Sequence, residues 1–137
     1  AKMTHLESNK VLISKKPEDV FLFLSDFNNI GTLMPEQVEN FKVENDTCSF
    51  TIKGMASLGL AYDEKIPNEK VVMKSHGKVP FDFHLICNLE ALGEETALVL
   101  SLDAQLNPFL KMMAEKPLTN FLNLLASRYR DITSAQA

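Results

Sequence analysis

The sequence predicts an α+β fold: a curved antiparallel sheet of about seven strands, in the order β-α-α-β6-α, wrapped around a long C-terminal helix kinked near Pro117. Three observations carry this. Apolar and polar residues alternate with a period of two through residues 36–106. A helical apolar pattern precedes that run at residues 17–27. A second helical pattern, with one apolar stripe, fills residues 107–131.

Residues 3–14, MTHLESNKVLIS, alternate loosely and read as one first strand. Pro17 suits a first helical turn, where its missing N–H is no loss. Glu18 and Asp19 then put negative charge at the positive end of the helix dipole. Val20, Phe21, Phe23, Leu24 and Phe27 form a wide apolar face. Asn28 and Asn29 interrupt it, and residues 30–34 read as a short second helix or turn closed by Pro35.

The strands follow. Phe41 and Val43 alternate with Lys42 and Glu44. Asn45 and Asp46 tolerate the positive φ of a tight hairpin, after which Cys48, Phe50 and Ile52 alternate with Ser49, Thr51 and Lys53. Leu58, Leu60, Tyr62 and Glu64 share a face opposite Gly59 and Ala61. Turns at 66–70 and 77–80 flank a strand that carries Val71, Met73 and Ser75 on one side. The clearest strand is 81–92, with Phe81, Phe83, Leu85, Cys87 and Leu89 on one face and Asp82, His84, Asn88 and Glu90 on the other. In the last strand Leu98, Leu100, Leu102 and Leu106 oppose Val99, Ser101, Asp103 and Gln105. Short loops imply a meander, and one apolar face per strand implies a sheet covered on one side.

That face needs a cover, because left open it would be a large exposed patch. Leu118, Phe121, Leu122, Leu125 and Tyr129, spaced i, i+3, i+4, i+7, i+11, supply one. Asn107 and Pro108 start this helix well. Its first half differs: Phe109, Leu110, Met112 and Met113 spread apolar surface over most of the circumference. Pro117 removes the N–H that would bond to the Met113 carbonyl. The expected result is a kink or break, with a soft Met-rich lid ahead of it and a clamp on the sheet behind it.

The formal net charge is -4 with no basic run, which argues against nucleic acid or an anionic membrane as the main partner. No apolar run reaches the ~18 residues of a membrane span, and the first residues carry no apolar core of the signal-peptide kind. Cys48 and Cys87, the only cysteines, both fall in alternating segments. The reading is one domain, residues 1–137, cytoplasmic and reduced, with two buried thiols.

Catalytic motifs are absent. His5, His76 and His84 have no metal-ligand spacing, with His84 on a polar face and His76 at a strand end where it could border a cavity. No G-x-S-x-G elbow and no glycine-rich phosphate loop occurs. No metal or cofactor is expected.

The order of elements resembles the START-like, helix-grip superfamily, also called SRPBCC, over nearly the whole chain. The matching pieces are KKPEDVFLFLSDFNNIGTLMP at 15–35, the six-strand run, and PLTNFLNLLASRY at 117–129; P-x-x-V-F-x-F-L-S-D at 17–26 resembles the usual first helix of that group. The group includes birch-pollen-allergen-like proteins, polyketide cyclases/dehydrases and lipid-transport proteins. It often carries a tryptophan in the second helical region, where this chain has Ile30 and Leu33 and no Trp anywhere.

The resemblance implies a hydrophobic cavity between sheet and C-terminal helix. Parity would line it with Leu58, Leu60, Tyr62, Met73, Ser75, Phe83, Leu85, Leu100 and Leu102 from the sheet, and with Phe109, Met112 and Met113 from the helix. The expected function is a non-enzymatic binding or carrier domain for an apolar, lipid-like or polyketide-like small molecule. A cyclase or dehydratase is the alternative, with Tyr62 and Ser75 as its polar pair. A third is an interaction module whose cavity is filled by side chains, for which nine phenylalanines provide the bulk.

Overall fold

The computed structural model describes residues 3–135. Its elements are β1 (Met3–Glu7), β2 (Val11–Ile13), α1 (Pro17–Leu24), α2 (Phe27–Gly31), β3 (Val38–Glu44), β4 (Thr47–Ile52), β5 (Ala56–Ile66), β6 (Lys70–Ser75), β7 (Phe83–Leu92), β8 (Glu95–Gln105) and α3 (Pro108–Ala135). The sheet runs β1-β8-β7-β6-β5-β4-β3, and β2 pairs with β8 beyond the end of β1. From β3 to β8 each strand pairs antiparallel with its successor, the expected meander. Tight turns use positive φ at Asn45, Asn68 and Gly93, so the residues that punctuate the sequence also bend the chain.

The first strand differs from expectation, for it is two. Glu7 pairs with Ser101 and Val11 with Leu98, so three residues of one chain face two of the other. Ser8 fills the gap. Its N–H donates to the Leu100 carbonyl at 2.8 Å, and its hydroxyl accepts from the Leu100 N–H at 2.9 Å. A side chain thus replaces one rung of the ladder, and inward parity resumes at Val11 and Ile13.

The helical boundaries also differ. α1 ends at Leu24, and Ser25 donates to the Phe21 carbonyl at 2.6 Å. Asp26 caps a new helix by accepting from the Asn28 N–H at 2.9 Å, so Asn28 and Asn29 begin α2 and do not end α1.

α3 is one helix of 28 residues, unbroken through Pro117. Its start is capped by the Asn107 side chain, which accepts from the Leu110 N–H at 2.8 Å. The second half buries Leu118, Phe121, Leu122, Leu125, Ala126, Tyr129 and Thr133, as its stripe demands. Arg128 donates to the Leu33 carbonyl at 2.9 Å, and Asn123 accepts from the Asn9 N–H at 2.7 Å, fixing the helix at both flanks. In the first half only Ala114 is buried.

Candidate functional site

The helix lies over β1, β2 and β8, at one side of the concave face. The rest of that face, through β4, β5 and β6, is joined to it by side chains. Phe50 of β4 stacks on Phe121 of α3 with ring centroids 5.6 Å apart, and Phe41 of β3 stacks on Phe50 at 6.2 Å. Leu58, Leu60, Met73, Phe83, Leu85, Leu100 and Leu102 all point into this space and belong to one continuous core. Leu60 and Met73 are 1 % exposed and Leu102 2 %, so the space is packed with side chains.

The three helix residues expected to line it lie elsewhere. Phe109, Met112 and Met113 are 63, 75 and 59 % exposed and form an apolar patch on the first two turns of α3. With apolar groups around most of the circumference, one face had to remain outward. The small Ala114 takes the inward position.

Tyr62 and Ser75 are half-buried, and each hydroxyl already has a protein partner. Tyr62 donates to the Leu24 carbonyl at 2.7 Å and stacks on Phe27 at 4.1 Å. It therefore ties the α1–α2 junction to β5. Burial raises its pKa, so the phenol stays neutral. The Ser75 hydroxyl accepts from the Phe83 N–H at 3.2 Å. Ser75 borders an outer cleft of about 310 Å³ shared with Lys74, His84 and Asp103. The cyclase-type pair expected from sequence is thus split between two structural tasks.

Burial pushes the Cys48 and Cys87 thiols up to about 12, which removes them as nucleophiles at neutral pH. His84 is exposed and lies 3.7 Å from Asp63. His76 is exposed at the rim of an outer-face cleft of about 470 Å³. Among the described residues no group of three His, Cys, Asp or Glu is placed to hold a metal ion. No helix among them is long and apolar enough to cross a membrane.

One small opening leads from solvent toward the concave face. Pro35 and Gln37 ahead of β3, Ile52 and Lys53 at the end of β4, and Pro117, Asn120, Phe121 and Leu124 of α3 enclose about 70 Å³. The missing N–H of Pro117 predicts a kink or break; the helix continues through it, and Pro117 borders this opening.

No protein-family model and no curated protein sequence matches the chain. Solved structures do. Norcoclaurine synthase from Thalictrum flavum, in complex with dopamine and hydroxybenzaldehyde, superposes with a TM-score of 0.77 at 11% identity, covering 99% of this chain and 89% of that one. A START superfamily protein from Mycobacterium smegmatis gives 0.69 at 16% identity over 100% of both chains. The Zhui aromatase/cyclase from Streptomyces sp. R1128 gives 0.63 at 17% identity over 98% of each. At these identities the likeness is one of fold, and that fold is the START-like helix grip.

Proposed function

We propose that this START-like helix-grip chain binds an apolar small molecule between its sheet and α3, without acting on it chemically. One observation carries the reading: α3 lies over β1, β2 and β8, while side chains alone bridge it to the other half of the concave face. Side chains can rotate where a backbone contact would not yield. Met73, Phe50 and Phe121 fill the volume that a ligand would take, and the 70 Å³ opening beside Phe121 is the way in. Pockets for drug-sized ligands measure ~300–1,000 Å³, so binding requires these side chains to move. Relatives in fold include an enzyme bound to dopamine and hydroxybenzaldehyde and an aromatase/cyclase. Catalysis is disfavoured here because the Tyr62 and Ser75 hydroxyls are committed to the backbone.

The near-zero exposure of Leu60, Met73 and Leu102 favours a second reading, an interaction module with a permanently filled core. One experiment separates the two. Gently purified protein is compared in native and denaturing mass spectra, then titrated with the apolar probe 1-anilinonaphthalene-8-sulfonate while amide shifts are followed. Carried mass lost on denaturation, or saturable shifts at Leu60, Leu102 and Phe121, supports the binder. If neither is observed, the filled-core module stands.

A further inference from the structure

A second cleft, of about 400 Å³, lies outside the sheet–helix core, between α1 and the end of α3. Its wall is aromatic and aliphatic. Phe23 and Tyr129 stack face to face with centroids 4.5 Å apart, and Ile132 continues the surface one turn on. Its frame is pinned by polar contacts. The Thr96 hydroxyl, wholly buried, donates to the Lys15 carbonyl at 2.8 Å, and the Thr133 hydroxyl accepts from the Ser14 N–H at 3.4 Å.

Two donors in this frame are unspent. Tyr129 is 2 % exposed, yet its hydroxyl has no hydrogen-bond partner among the described residues. No fully buried side-chain oxygen among them lacks a partner, so the hydroxyl keeps some exposure, and Tyr129 lines the cleft together with Asp19, whose charge acts on that hydroxyl. Lys15 is half-buried and in no ion pair among the described residues, whereas its neighbour Lys16 pairs with Glu94 at 3.4 Å. A phenol and an ammonium above an apolar wall match one chemistry: an anionic oxygen on an apolar body. Asp19 borders the same cleft and is the only negative side chain lining it among the described residues. It disfavours a doubly charged group such as a phosphate.

We propose that the α1–α3 cleft binds a small aromatic monocarboxylic acid, its carboxylate between the Tyr129 hydroxyl and the Lys15 ammonium and its ring against Phe23 and Ile132. This site is independent of the one between sheet and α3.

The test is an amide-shift titration of the full chain with phenylacetate, with 2-phenylethylamine as the oppositely charged control of the same body. Phenylacetate should move the Asp19, Phe23 and Ile132 amides saturably. Lys15→Met and Tyr129→Phe should each weaken it about tenfold, the loss of one charge-assisted contact. Asp19→Asn should tighten it. Tyr129→Phe removes a hydroxyl that bonds nothing among the described residues, so its melting temperature should hold; if that variant fails to fold, Lys15→Met carries the test alone. The proposal is overturned by equal binding of 2-phenylethylamine at these amides, by unchanged affinity in Lys15→Met or in a folded Tyr129→Phe, or by the absence of saturable shifts there. Shifts confined to Leu60 and Leu102 would also overturn it, while supporting the core site instead.

Discussion

The two halves of α3 have similar apolar content and opposite fates. Residues 108–117 include Phe109, Leu110, Met112 and Met113, yet only Ala114 is buried there. Residues 118–133 bury Leu118, Phe121, Leu122 and Leu125 along one line. Spacing accounts for the difference. A stripe at i, i+3, i+4, i+7 lays every apolar group against the sheet at once, whereas groups spread round the circumference cannot all face inward. The second half clamps the sheet. The first half packs through Ala114 and Leu110 and leaves Phe109, Met112 and Met113 in solvent.

The strongest way to break this comparison is to cut the clamp. Leu118 and Leu122 are fully buried, so Leu118→Ala or Leu122→Ala should each cost about 2–5 kcal/mol in denaturant unfolding, from lost transfer energy plus a cavity. A loss below about 1 kcal/mol would mean that the stripe does not hold the helix down.

Pro117 sits where the halves meet and leaves the Met113 carbonyl without its helical donor. Pro117→Ala restores that donor and should stabilise the helix by about 1–3 kcal/mol, since proline is ~3 kcal/mol worse than alanine in a helix interior. Amide exchange across 109–117 should slow. Because Pro117 borders the 70 Å³ opening, association of an apolar probe should slow as well. Unchanged exchange would show that the helix has already relaxed around the proline. On the exposed side, Met112→Ala and Met113→Ala should each stay within about 0.5 kcal/mol of the parent. A cost near that of Leu122→Ala would mean that the patch is covered by another molecule in solution.

These contrasts also mark what could be read in advance. Sheet faces were legible because parity is a local property: Leu58, Leu60, Met73, Phe83, Leu85, Leu100 and Leu102 all turn inward as alternation required. The clamp was legible for the same reason at helical period. The split between β1 and β2 was not, because it depends on Ser8 exchanging hydrogen bonds with Leu100, 92 residues away. Nor was the fate of Tyr62, whose partner carbonyl at Leu24 reaches it only when α1 lies against β6, β7 and β8. The first half of α3 misled because apolar content without a stripe does not select a face. The cleft beside Tyr129 left no sequence signal, since it is made by two helices distant in the chain.

The smallest expected effect concerns what does not hold α3. His5 lies on the outer face of β1, opposite the side that meets the helix, and bonds to Asp103 and, at 3.1 Å, to Glu7. Its pKa is raised above 6.5, first by the Asp103 hydrogen bond and then by the one to Glu7. A raised folded pKa means that protonated His5 stabilises the fold. The contribution is complete below about 6.5 and fades as pH climbs through the raised value. His5→Gln should therefore be slightly less stable than the parent at pH 6 and equal to it at pH 8.5, by a margin that salt reduces because the cluster is exposed. Amide exchange at β1 should quicken over the same pH range while protection at Leu122 and Leu125 stays constant. If protection in α3 fell in step with β1, the clamp would depend on the polar edge of the sheet as well as on its own apolar stripe.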